Sequence, residues 1–327
     1  LTPKREYDER DIRVRAKGSS RPRTKDRPEH QSAIEAKVVT VDRGRITCMI
    51  ESGTLVMAMK ARELGKNSVV VGDQVLLIGD TSGKTDSLAR VVKVHNRRNS
   101  LTRTLDDAGS LSRTIAANVD QMIIVAAAAD PIPRLGFIDR CLVVAFDQGI
   151  TPVIVITKTD LASPEEFLSS YRNLDVEVRT TQRGGDLSSL QELLRDKISV
   201  FIGHSGVGKS TLVNALLGSK VRATGDVNEI TGRGKHTSSS AISIALPEGG
   251  WVIDTPGVRS FGLDHIDPSR VIGSFPEFAA AIEGCPKRCS HNELACALDS
   301  YVESHQSLRE RLASLRRLLT SEREPVA

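Results

Sequence analysis

Apolar residues between positions 34 and 95 fall into five short runs: Val38-Val39-Thr40-Val41, Ile46-Thr47-Cys48-Met49-Ile50, Leu55-Val56-Met57-Ala58-Met59, Val75-Leu76-Leu77-Ile78 and Ala89-Arg90-Val91-Val92-Lys93-Val94. Asp42-Arg43-Gly44, Ser52-Gly53, Gly72-Asp73 and Thr81-Ser82-Gly83-Lys84 separate them, all turn-forming sequences. Five strands so closely spaced predict a small all-β barrel of OB type. Residues 97–103 and 106–110 are polar and read as a linker. The texture then changes. An apolar strand at 122–126, a helical apolar face over 138–146 and a strand ending at Ile156 form a βαβ unit, which calls for a parallel sheet. Another strand is expected at 176–181 and a helix at 187–197. Phe201-Ile202 ends a buried strand, residues 211–217 have helical apolar spacing, and Trp251-Val252-Ile253 leads a further strand. Leu308, Leu312, Leu315 and Leu319 recur at helical spacing with arginines opposite, which favours a docked structural helix over one lying on RNA.

Charge changes this picture at one end only. The net charge is +4, yet Arg13, Arg15, Lys17, Arg21, Arg23, Lys25 and Arg27 stand against Asp26 alone. Residues 1–32 therefore read as a disordered basic arm, suited either to a phosphate backbone or merely to solubility. No run of eighteen apolar residues occurs and the first thirty residues are polar, so neither a membrane span nor a signal peptide is expected; the reading is cytoplasmic. The barrel segment lacks Phe, Tyr and Trp, so RNA contact there would be electrostatic and led by shape; a purely structural barrel stays open.

The chemistry lies in four loops. Gly203-His204-Ser205-Gly206-Val207-Gly208-Lys209-Ser210 matches the phosphate-binding P-loop, between a strand and a helix as the motif requires. Its glycines allow the backbone to wrap phosphates, the helix start at Thr211 adds its dipole, Lys209 reaches the β- and γ-phosphates and Ser210 ligates Mg²⁺. Thr157-Lys158-Thr159-Asp160 is close to the Asn-Lys-x-Asp guanine reader, in which the carboxylate pairs with guanine N1–H and the exocyclic amine. The Lys158 stem would cover the base. Asp254-Thr255-Pro256-Gly257 has the Asp-x-x-Gly pattern of switch II: Asp254 for the Mg²⁺ shell and the Gly257 N–H for the γ-phosphate. Gly232-Arg233-Gly234-Lys235-His236-Thr237-Ser238-Ser239-Ser240 has the polar, hydroxyl-rich character of switch I. The usual order begins with the P-loop and ends with the guanine reader. Here the reader comes first, as a circular permutation would place it.

Five cysteines divide unevenly. Cys48 and Cys141 sit in apolar patterns and read as core. Cys285, Cys289, His291 and Cys296 form a Cys-x₃-Cys-x-His-x₄-Cys set, three thiolates and an imidazole suited to one structural Zn²⁺. The alternatives are a disulfide with a spare thiol, or chance; His305 is a rival nitrogen ligand.

Over residues 33–305 the chain resembles the circularly permuted ribosome small-subunit-dependent GTPase A family (RsgA, also called YjeQ). That resemblance implies a multi-domain fold: an OB-type barrel at 33–97, a permuted α/β P-loop GTPase domain at 98–262, and a small α-rich zinc-binding domain with a C-terminal helix at 263–327. It implies GTP hydrolysis stimulated by the 30S subunit, in late maturation of that subunit, with GTP/GDP and 16S rRNA as partners, no membrane and a monomeric state. Thr180 and Thr181 stand where the family has a Ser-Ala pair beside the guanine O6. The zinc-ligand spacing is one residue shorter than the family's in both outer loops. Val258 follows Gly257 where ordinary GTPases carry a water-orienting Gln, and His236 matches the family's water-orienting His. The same pattern assigns Ser238 or Ser239 as the switch I hydroxyl on Mg²⁺. Two rivals stand beside this reading: a P-loop ATPase, and a zinc-dependent RNA-binding protein whose nucleotide site is only structural.

Overall fold

Strands β1 (Ile34–Asp42), β2 (Arg45–Ile50), β3 (Leu55–Lys60), β4 (Gln74–Gly79) and β5 (Ala89–Val94) realise the five apolar runs. They pair in the order β1-β2-β3-β5-β4, and β1 returns to β4 with Ile34 opposite Leu77 and Lys37 opposite Gln74, closing the barrel. A register shift between Val38 and Thr40 bends β1, so that its first half can face β4 while its end reaches elsewhere. Ala36, Val38, Ile46, Cys48, Val56, Ala58, Val75, Leu77 and Val91 point inward and are buried, the alternation that period-two spacing dictates. The computed structural model describes residues 32–42, 44–65, 69–104, 112–169, 171, 176–223, 241–255, 268–293 and 296–321; the basic arm, except Ser32, lies outside them.

Strand β6 (Ser100–Thr104) falls on residues read as linker, and it forms a hairpin with β7 (Ser112–Ala117), a stretch for which the sequence predicts no element. Its apolar signal is small, because Leu101 and Ala116 are opposed and fully buried while most of their neighbours are polar. The hairpin is fitted closely to the barrel. Gly72, at φ +89°, lies so near that a Cβ there would sit 2.1 Å from the Ala117 carbonyl oxygen. Asp73, wholly buried, accepts two hydrogen bonds from Arg97 at 2.7 and 2.9 Å. A bidentate pair of this kind fixes where the chain leaves the barrel.

Five parallel strands follow: β8 (Gln121–Ala127), β9 (Thr151–Thr157), β10 (Glu177–Thr180), β11 (Ile198–Ile202) and, after the antiparallel β12 (Ile242–Ala245), β13 (Trp251–Asp254). Their spatial order is β10-β9-β8-β11-β13-β12, and β12 meets the barrel where Thr40 stands opposite Ile242. The P-loop strand β11 thus lies inside the sheet, between the switch II strand and β8, although it comes late in the chain. Helices α1 (Leu135–Asp147), α2 (Glu165–Ser169), α3 (Ser188–Leu194) and α4 (Lys209–Ala223, interrupted at Gly218) complete this part.

The two faces of β8 show how the layers are built. Met122, Ile124 and Ala126 enter one core with α1, whereas Ile123, Val125 and Ala127 enter another with α3 and α4. A strand buried on both faces reads as continuously apolar, as 122–126 does. Four further helices, α5 (Pro268–Gly273), α6 (Ala279–Ile282), α7 (Ala297–Ser304) and α8 (Arg309–Ser321), cover the α1 side. All four leucines of the C-terminal stripe are buried, so α8 is docked. Its core is not separate: Leu312 and Leu315 belong to one cluster with Phe275, Cys296, Val143 and Ile124.

Candidate nucleotide-binding site and metal centre

Strand β11 delivers the P-loop and α4 begins at its lysine. Gly203 is required because a Cβ there would come within 2.6 Å of the Val125 carbonyl oxygen on β8. Gly206 and Gly208 hold φ of +86° and +87°, the left-handed turn that lets the loop close on itself. The Thr157 hydroxyl lies 2.6 Å from the Val207 carbonyl and 3.2 Å from that of Ala126, so the end of β9 is held against the P-loop. Lys209 forms an ion pair with Asp254 at the end of β13, both side chains largely buried. The groups assigned to the phosphates and to the metal shell therefore converge from neighbouring strands. Thr255 donates to the Phe201 carbonyl at 3.3 Å and holds β13 to β11 just beneath them. Ser205, Ser210 and Thr211 are exposed on the rim.

Beside the P-loop opens a cavity of about 690 Å³, within the range of ligand pockets. Thr157, Lys158, Asp160, Thr181, the 182–185 loop, Gly208 and Thr211 are among the residues that line it. Thr181 N–H donates to the Ile156 carbonyl at 2.8 Å, which sets the loop after β10 beside the guanine reader. Lys158, at φ +57°, donates to the Asp130 carbonyl. Asp160 is exposed, its carboxylate accessible to a base. Sequence reading gave Gln182, Arg183, Gly184 and Gly185 no role; position directly after β10 was the only available signal.

His204 turns away from this cavity. Its ring lies against Phe137 of α1, centroids 4.1 Å apart, and it borders a second cavity of about 290 Å³ with Arg134. Burial, aided by the Arg134 charge, lowers its pKa, and its buried Nε2 has no hydrogen-bond partner. His236, Ser238, Ser239, Gly257 and Val258 lie outside the described residues.

The cysteine set is assembled. Cys285 Sγ lies 3.7 Å from Cys296 Sγ, Cys289 Sγ 3.9 Å from Cys296 Sγ, and His291 Nδ1 3.6 and 3.7 Å from Cys285 and Cys296. A tetrahedral ion with bonds of about 2.3 Å has ligand–ligand edges of about 3.8 Å, so the donors fit one ion. All the cysteines are free, and the four donor atoms lie within 4.8 Å of one another, a group that can hold a metal. Burial raises the Cys289 and Cys296 thiols and lowers His291; a bound cation would replace the thiol protons. His291, at φ +60°, donates its N–H to Cys289 Sγ at 3.4 Å, while Arg316 Nε donates to the His291 carbonyl at 2.9 Å. Glu293, which sequence reading passed over, accepts from Cys289 Sγ at 2.8 Å. His305 is occupied elsewhere, stacked on Tyr301 and close to that residue's carbonyl.

A model of the RsgA GTPase family matches residues 94–264. The small ribosomal subunit biogenesis GTPase RsgA of Chlorobaculum tepidum is 36% identical over 295 residues, 87% of this chain and 93% of that protein. Its namesake from Shewanella oneidensis is 38% identical over 266 residues, 78% of this chain and 74% of that one. Among solved structures, YjeQ from Thermotoga maritima superposes with a TM-score of 0.69 at 26% identity, covering 89% of this chain and 98% of its own. YloQ, described as a circularly permuted GTPase, gives 0.66 at 26% identity over 92% and 100%. With its barrel, its permuted sheet and its Cys/His cluster, the chain belongs to the RsgA GTPase family.

Proposed function

We propose that this GTPase acts in biogenesis of the small ribosomal subunit, hydrolysing GTP faster when the subunit is bound. The observation that carries the reading is that Gly208, next in the chain to the Lys209 of the Lys209–Asp254 pair, lines the same cavity as Asp160. Within that site Asp160 selects guanine, the P-loop backbone and Lys209 hold the triphosphate, and Thr157 keeps the two halves in register. Thr180 and Thr181 frame the base. Mg²⁺ supplies charge neutralisation at the γ-phosphate when bound; Ser210, Asp254 and a hydroxyl of Ser238 or Ser239 are the residues that would hold it. His236 orients the attacking water, because Val258 has no group able to do so. The 16S rRNA is the surface on which the barrel and the basic arm would lie, and the working form is a cytoplasmic monomer; among the described residues no helix is long and apolar enough to cross a membrane.

The deciding experiment is GTP turnover with and without purified 30S subunits. Turnover of the protein alone should be far below ~1 s⁻¹, the lower end of typical enzymes, and subunits should raise it. ATP hydrolysed as readily would favour the ATPase reading. Tight guanine-nucleotide binding with no turnover in either condition would leave only a binding module.

Zinc is the metal proposed for Cys285, Cys289, His291 and Cys296, a closed donor set of soft sulfur and imidazole. Elemental analysis of native protein should find about one Zn²⁺ per chain. Cys289→Ala should carry far less and show faster proteolysis beyond residue 280. Native, unchelated protein without zinc would remove the assignment.

A further inference from the structure

Helix α8 holds two neighbouring arginines that face different parts of the molecule. Arg317 donates to Asp139 of α1 at 2.9 Å, while Arg316 donates to the carbonyl of the metal-set residue His291 at 2.9 Å and pairs with Asp299 at 2.8 Å. Asp139 is a fully buried carboxylate at which several groups meet. Tyr171 donates to it at 3.2 Å, Arg311 stands 3.5 Å away, and Arg311 in turn pairs with Glu277 and lies over the Phe275 ring. Two residues before Asp139 on the same helix, Phe137 carries the P-loop His204 on its ring. A continuous set of contacts thus runs from the metal loop through α8 and α1 to the phosphate loop, alongside one apolar cluster that includes Cys296, Leu315 and Phe137.

We propose that Asp139, Arg316 and Arg317 are positioning residues that couple the metal cluster to the P-loop, so that metal occupancy tightens nucleotide binding. The reason is rigidity. Without a cation the loop bearing His291 loses its common anchor, Arg316 loses a fixed acceptor, and α8 no longer presents Arg317 squarely to Asp139. Asp139 then keeps Tyr171 and the more distant Arg311 but loses its shortest charge-assisted hydrogen bond, and a buried carboxylate left less well paired favours a shift of α1 or entry of water. Phe137 and His204 move with it. Coupling between sites is reciprocal, so bound nucleotide must also hold the metal more firmly.

The coupling rests on the proposed guanine-nucleotide site, and the test separates the two. A fluorescent GDP analogue is titrated into the full chain, metal-loaded and after chelation. Wild type should bind about tenfold more weakly without metal, and saturating GDP should slow metal loss to a chelator by about the same factor. Arg317→Ala, half-exposed and compatible with folding, should bind GDP nearly as weakly when loaded as wild type does when chelated, with less than about twofold further loss on chelation. Arg317→Lys should restore part of the difference. Equal GDP affinity in loaded and chelated wild type, with circular dichroism unchanged, overturns the coupling alone. Should chelation unfold the chain, loaded Arg317→Ala decides: an affinity equal to wild type overturns the proposal. A loaded wild type binding no guanine nucleotide would overturn the proposed function and this coupling together.

Discussion

Asp160→Asn is expected to weaken GTP binding by about 2–4 kcal/mol, or ~30- to 1,000-fold, while leaving ATP binding unchanged. Asp160, shortly after the end of β9, lines the same cavity as Thr181 and the 182–185 loop. Guanine offers it two parallel donors; adenine offers none in that geometry. The substitution is nearly isosteric, so it leaves the fold intact, and Lys209, Asp254 and the P-loop glycines retain the triphosphate. Competition of GTP and ATP against a fluorescent nucleotide measures the effect. If the mutant still prefers GTP to the wild-type extent, this loop does not read the base. Xanthosine triphosphate supplies a positive control: its C2 carbonyl suits an amide donor, so the mutant should gain affinity for it.

His236→Ala should bind GTP and the 30S subunit normally yet lose ~10²- to 10⁴-fold of the stimulated rate, the usual contribution of a positioned base or water-orienting group. The motive is chemical. The residue after Gly257 is Val258, without a hydrogen-bonding side chain, so another group must hold the water. A neutral imidazole can do so near physiological pH. Single-turnover hydrolysis with saturating subunits separates this from a binding defect. Full stimulated turnover in the mutant would place the water-orienting group elsewhere, with ribosomal RNA as the first place to look.

What could be read along the chain was local. The P-loop, the Thr157–Asp160 element and the cysteine set each fit within about a dozen residues, and their geometry follows from short-range backbone rules. Barrel strands and the buried strands of the parallel sheet were legible because burial on one face or two writes a distinct periodicity. The β6–β7 hairpin was not, since Leu101 and Ala116 carry its burial among mostly polar neighbours. Long-range choices were equally hidden. Asp139 and Arg317 are 178 positions apart, and neither sits in a motif. Which way His204 turns depends on Phe137, a residue from another strand–helix unit that sequence gives no reason to pair with a phosphate loop.

The continuous sheet has a further consequence for self-association. At one end its strand order runs into a closed barrel, whose five members hydrogen-bond in a ring. While β12 touches that barrel through the single pair Thr40–Ile242, at the other end the sheet stops at β10, which pairs with a strand on one side only. That strand is only four residues long and bears Glu177 paired with Arg179. Short, charged margins are poor templates for an incoming strand. Among the described residues, the closed barrel at one end and this short margin at the other leave little edge on which a second copy could add a strand, so the barrel also serves as a stopper for the sheet.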